Sequence, residues 1–184
     1  MRRGAKVLAR LILTLVLVSL VSFAAYDAIV FQPRVPDIRR LLAAAAADEQ
    51  SPPDSILKVL RTSYPDHLSA HVARLLQREL AAERTERGMT RWHMEAILWA
   101  GLVNLHLIES EQVTLFLALS PMGDKVRGFS RASMGVVGVP LGAVSVDQAA
   151  RLVTLCKAPS VYLKDPDRLA RQAEALARRA NNAH

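Results

Sequence analysis

Cysteine is nearly absent from this sequence. Cys156 stands alone, so no intrachain disulfide can form and no cysteine metal site can be built. Its neighbours Leu152, Val153 and Leu155 mark it as a small buried hydrophobe, and no histidine lies near it in sequence to create the polar setting of a reactive thiolate. Aromatic residues are scarce too, at 5%, and none interleaves with basic residues to form a base-stacking platform, which argues against nucleic acid as a partner. Runs of Val, Thr and Tyr with period-two alternation are almost missing, which leaves little room for sheet. The phosphate loop, the dinucleotide fingerprint, H-E-x-x-H and G-x-S-x-G are all lacking. No self-sufficient catalytic motif is therefore present, and no cofactor is implied.

Ala, Leu, Arg and Glu fill the space instead, and that composition makes a mostly α fold the expectation. The net charge of +7 needs dividing before it is interpreted. Arg2, Arg3, Lys6 and Arg10 flank an apolar run and answer to membrane topology. Setting them and Asp27 aside from the 24 basic and 17 acidic residues leaves 20 against 16. So mild a surplus suits anionic lipid head groups, a pyrophosphate or an acidic polymer.

The apolar run extends from Leu11 to Phe31, 21 residues with Asp27 as its one charge. At 1.5 Å per residue that length matches a bilayer's hydrocarbon core. Basic residues before it and none immediately after it place the amino end in the cytoplasm, with the remainder exported. A cleaved signal peptide, with small residues at 22–25, is the rival reading. Beyond residue 31, roughly 150 residues suffice for one compact domain. The division expected is a cytoplasmic 1–10, an anchor at 11–31, a linker with a juxtamembrane helix at 32–52, a helical domain at 53–180 and a tail at 181–184.

Punctuation within the domain is clear. QPRVPDIRR, with two prolines, reads as an exit linker, and LLAAAAADEQ as a helix broken by SPPDS. Asp54 or Ser55 is placed to cap a helix over ILKVLRTS. After a Tyr64-Pro65-Asp66 turn, apolar residues at 68, 72, 75, 76 and 80 predict an amphipathic helix over 68–84. A long apolar helix follows Gly88 and ends near Leu107, another spans Glu109 to Leu119, and 123–142 reads as loop with one short helix near Ser130. Ser145 caps VDQAARLVTLCK, Ala158-Pro159 closes it, and Asp165 to Arg179 forms the last helix.

The C-terminal half carries an ordered series. Arg91-x-x-x-Glu95 comes first, then Glu111-Gln112-Val113-Thr114-Leu115-Phe116-Leu117, Gly123 and Arg127-Gly128-Phe129. Pro140-Leu141 precedes Lys157-Ala158-Pro159-Ser160-x-Tyr162, and Arg171-x-x-x-Ala175-Leu176 ends it. In order and spacing this stretch resembles the family 51 peptidoglycan glycosyltransferases, which polymerise lipid II. The resemblance covers about half the chain, from Arg91 to Arg179, and 157–162 is its most specific part. It implies a lysozyme-like helical lobe with a membrane-embedded smaller part. It places Arg91 and Glu95 in the family's R-K-x-x-E motif, whose glutamate lies in the active cleft, and Arg171 in the terminal R-x-x-x-V-L motif.

The sequence departs from the family where chemistry is done. The central glutamate of E-D-x-x-F-x-x-H has no counterpart in 53–60, and Ser69 to Leu75 keeps only traces of G-x-S-T-x-T-Q-Q. Trp92 replaces the motif lysine. Glycosyl transfer needs a base for the acceptor hydroxyl and cations for the pyrophosphate leaving group. Loss of a general base costs about 10²–10⁴ in rate. The expectation is a transglycosylase-like pseudoenzyme, a binding or scaffolding subunit of the cell envelope. An active glycosyltransferase and an unrelated membrane-anchored adaptor stand as alternatives. Expected partners are membrane lipid, lipid II or peptidoglycan glycan, and an envelope protein.

Individual residues admit plainer readings. Glu95 suits the first turn of a helix, where a carboxylate favours the dipole. Asp66, a substitute base in the active reading, also fits ordinary turn chemistry. His67 and His71 share a helical face at metal-ligand spacing without an obvious third ligand, so no metal is expected. Trp92 and Trp99, seven apart, read as core or as an interfacial anchor. Arg127 and Arg131, beside Lys125, are candidate phosphate ligands or solvated surface, and Lys157 joins the candidate substrate-binding set. Arg168, Arg171, Arg178 and Arg179 trace the polar face of the last helix.

Overall fold

A computed structural model describes residues 2–66, 68–80, 89–123 and 125–183, with side chains from Arg10 onward and, past the second gap, from Met94. The chain is mostly α. It divides into two compact units, Met1–Ile38 and Arg39–His184.

The first unit opens with α1 (Arg2–Tyr26), in which Leu11, Leu13, Leu15, Leu17 and Leu20 are all more than half exposed. Helix Arg10–Ala44, 35 residues with a mean hydropathy of 2.1 over its most apolar window, is long and apolar enough to cross a membrane. The expected linker is itself helical. A π turn at Asp27–Phe31 and a 3₁₀ turn at Gln32–Arg34 lead into α2 (Val35–Ala44). A proline ring collides with the carbonyl four residues earlier in a regular α-helix, and locally altered winding gives that ring room. Pro33 and Pro36 therefore do not break this helix.

The second unit is helical, apart from one small hairpin among the described residues. The run LLAAAAADEQ is not one helix: Ala46 is extended (ψ 152°) and separates α2 from α3 (Ala47–Gln50). Then come α4 (Asp54–Ser63), α5 (Leu68–Leu80), α6 (Met89–His106) and α7 (Glu109–Leu119). Neither Asp54 nor Ser55 caps α4; the cap position is Pro53, and Ser55 Oγ instead donates to the Val144 carbonyl at 2.7 Å. Strands β1 (Pro121–Gly123) and β2 (Val126–Arg127) pair antiparallel where loop was expected. They turn through Gly123 and Lys125, both at positive φ. Helices α8 (Phe129–Val137), α9 (Val146–Lys157), α10 (Pro159–Tyr162) and α11 (Pro166–Asn182) complete the chain. α9 has the expected Ser145 cap, with Gln148 returning the hydrogen bond. α11 extends two residues into the stretch read as a tail.

α9 is the hub. It buries Ala149, Ala150, Leu152, Val153 and Leu155 between α11 and α4, while α7 packs against α5, and α5 against α6. Trp99, Leu102 and Val103 are the buried face of α6, so the tryptophan belongs to the core. Cys156 is a buried free thiol, as its neighbours foretold.

One buried carboxylate ties distant segments together. Glu49, 5% exposed, accepts from the Ser130 backbone N–H at 3.0 Å through Oε1 and from Ala46 N–H at 3.2 Å through Oε2. Asp48 accepts from Ser130 Oγ at 3.0 Å. Glu49 thus satisfies a backbone N–H at the open amino end of α8, as a helix dipole favours, and Asp48 holds the Ser130 side chain beside it. Gly128 makes this approach feasible: its φ is +88°, and a Cβ there would lie 2.8 Å from Glu49 Oε1.

Candidate functional site

Three helix ends and one helix face converge on a cleft of about 770 Å³. The face belongs to α5. His71, Arg74 and Arg78 are spaced three and four apart, which on an α-helix aligns them along one side. The ends are Ser63-Tyr64 after α4, Phe116 and Ser120 at the close of α7, and Cys156 to Ser160 at the α9–α10 junction. Proline at 159 starts α10 directly after α9, which turns the chain and presents Lys157 at the rim.

Tyr64 is the centre of the arrangement. Its ring meets His71 edge-on at 4.5 Å and Phe116 at 5.2 Å, with the Lys157 ammonium 5.2 Å from the ring centroid. Burial, then interaction with Cys156, pushes the phenol well above its usual range, with Arg74 opposing. It therefore stays a neutral hydrogen-bond donor. Cys156 is pushed up to about 12 by burial, with the neighbouring Tyr64 hydroxyl, the charge of Lys157 and Ser120 acting the other way. Its Sγ lies 3.2 Å from the Val153 carbonyl, and such a thiol has no nucleophilic role at neutral pH. Desolvation lowers the Lys157 pKa; Cys156 opposes this and Arg179 adds to it. Arg74 is held by its own helix, Nε donating to the Ala70 carbonyl at 3.1 Å. Ser63 Oγ, buried against the cleft, has no hydrogen-bond partner.

Charge sets the chemistry of this cleft. Arg74, Arg78, Lys157 and the imidazole of His71 line it, and among the described residues no aspartate or glutamate does. Such a surface attracts an anion and supplies no carboxylate to take up a proton. A smaller hollow of about 260 Å³ also touches Tyr64 and is lined by Asp66, Glu109 and Arg61 among others. Asp66 is exposed in its turn, 65–66, and is not a wall of the basic cleft.

Of the sequence candidates, Lys157 lines the cleft. Glu95 lies on α6, and Glu95, Arg127, Arg131 and Arg171 are not among the lining residues. Arg127 is paired with Glu79 and sits on β2, so it does not share a helical face with Arg131 on α8. Arg171 and Arg131 are exposed. The side chains of Arg91, Trp92 and His93, and all of His67, lie outside the described residues. Sequence reasoning missed Arg74, Arg78 and Tyr64, although the 71–74–78 spacing was available as a signal. No group of three metal-ligating side chains occurs among the described residues. No protein-family model matches the chain, and no curated protein matches it.

Proposed function

We propose that this chain is a bacterial cell-envelope protein, held in the inner membrane by its N-terminal helix with the amino end in the cytoplasm. Its helical domain is a catalytically inert relative of the peptidoglycan glycosyltransferases and serves as a binding or scaffolding subunit. The observation that carries this reading is a cleft rich in cations beside Lys157-Ala158-Pro159-Ser160, with no carboxylate among its described lining residues. Cations there suit a phosphate-bearing envelope glycolipid such as lipid II, while no carboxylate among the described lining residues stands ready as the base that the resembled family uses for glycosyl transfer. The carboxylates of Asp48 and Glu49, adjacent in sequence, are both engaged at Ser130, Glu49 with its backbone N–H and Asp48 with its hydroxyl.

The test uses the full chain in detergent, with labelled lipid II and a polymerisation assay on the same sample. Expected are binding that weakens at least tenfold in Arg74→Ala and Lys157→Ala, and no polymer. Polymer formation would sink the inert reading. Neither binding nor polymer would favour a second reading, a membrane-anchored helical adaptor unrelated to the glycosyltransferases.

A further inference from the structure

The second cavity of the domain differs in chemistry from the basic cleft. The hollow of about 260 Å³ that touches Tyr64 is walled by α4, the turn after it, the start of α5, Asn104 of α6 and the first turns of α7. It falls below the about 300–1,000 Å³ of drug-sized ligand pockets, so its ligand is small. Leu57, Leu60, Leu68 and Val113 supply its apolar lining. Arg61, Asp66, Ser69, Asn104, Glu109 and Gln112 supply the polar one.

Two of these polar side chains keep unused hydrogen-bonding groups although each residue is only 8% exposed, namely Ser69 and Gln112. Gln112 Nε2 donates to the Leu107 carbonyl at 3.0 Å and to Asn104 Oδ1 at 3.4 Å. That leaves Gln112 Oε1 as an acceptor without a partner among the described residues. No hydrogen bond among them engages the Ser69 hydroxyl. Polar groups this buried call for a partner, and both of these border the hollow. A hydroxyl donor and an amide acceptor on one small cavity match the C=O and N–H of a peptide bond.

Charge selects the rest of the ligand. Arg61 Nε stands 3.7 Å from Glu109 Oε1, so these two charges answer each other. Asp66 is then the lining carboxylate without a cation of its own among the described residues, and it favours a positive ligand. No group of three metal-ligating side chains occurs among those residues, so that cation is organic. A neutral sugar would leave Asp66 unanswered, and an anion suits the basic cleft instead. We infer that the hollow binds the free amino end of a short peptide. Its ammonium lies at Asp66, its first amide at Ser69 and Gln112, and a small apolar first side chain against Leu60 and Val113. This inference is independent of what the basic cleft holds, since the described linings of the two sites share only Tyr64.

The test titrates alanyl-alanine amide into the isotope-labelled full chain in detergent, observed by NMR. Expected are saturable shifts at Ser69, Asn104 and Gln112, with the N-acetylated probe binding at least tenfold more weakly. Asp66→Asn should weaken binding of the free amine at least tenfold and leave that of the acetylated probe unchanged, a split that a merely structural role would not produce. Ser69→Ala should weaken both probes by about threefold to tenfold, the worth of one hydrogen bond. Asp66 is exposed and alanine favours a helix, so both variants should keep the parent's dispersed spectrum. Equal binding of the two probes would overturn the proposal, as would an unchanged affinity in Asp66→Asn. Absence of saturable shifts, or shifts confined to Arg74 and Lys157 in the basic cleft, would overturn it too.

Discussion

Between Leu11 and Val21 the first helix turns leucine, isoleucine and valine outward on every side, whereas α11 turns arginine and glutamate outward and hides Leu169, Ala173, Leu176, Ala177 and Ala180. Both are good helix-forming sequences, so propensity does not separate them. The medium each requires does. A helix satisfies its own backbone hydrogen bonds, so an all-apolar one is at home where no water is present. α11 has one narrow apolar stripe and is stable because α9 and α4 cover it. In one helix the side chains match a solvent; in the other they match a neighbour.

The sharpest way to break that contrast is to shorten one leucine in each helix. Leu176→Ala, at 2% exposure, should cost about 2–5 kcal/mol of unfolding free energy. Leu17→Ala, at 60%, should change it by less than about 0.5 kcal/mol. Denaturant unfolding of the full chain in detergent measures both, and equal losses would end the distinction.

The domain also depends on side chains that close its helix ends, which α1 does not need to the same degree. Glu49→Ala strands the Ser130 and Ala46 N–H groups and should cost about 1–3 kcal/mol. A loss no larger than that of an exposed substitution would show that water replaces the carboxylate freely.

The remaining effect is pH-dependent and belongs to the domain alone. In the fold, Cys156 holds its proton up to about 12, against an ordinary value of 9.0. The unfolded thiol therefore ionises first, so stability is intact below pH 9 and is lost progressively as pH rises toward 12. The raised phenol of Tyr64 acts in the same direction from its own ordinary value of 10.0. Thermal melts from pH 8 to 11 should show Tm falling, with a shallower fall in Cys156→Ala. A flat profile would mean that the thiol is not buried in solution.

Much of the helical order was legible in the sequence because caps and breakers are local. Glu109–Leu119 and Val146–Lys157 run between the residues that punctuation predicted. The errors have physical reasons. Two prolines read as a linker, yet altered helical winding accommodates them; five alanines in a row read as one helix, yet Ala46 is extended because Glu49 caps the next turn through its N–H. The hairpin 121–127 is too short to show alternation. In the site, the sequence series named Lys157, which lines the cleft. The basic face of α5 was less so, since a functional stripe of cations and a solvated helix face look alike until α4, α7 and α9 are known to end beside it. Glu49 was silent: its partner lies 81 residues away.

That separation has a kinetic meaning. Ser55 reaches Val144 across 89 residues, and Glu49 reaches Ser130 across 81, so the domain is closed by contacts between its beginning and its later part. Loops of this span are costly to close, and folding through them is slow. During synthesis, which proceeds from the amino end, α3 and α4 must wait until α8 and the segment before α9 have left the ribosome. Through that interval the carboxylate of Glu49 is a hydrated charge without its partner helix, and it keeps α3 open to water until the partner arrives.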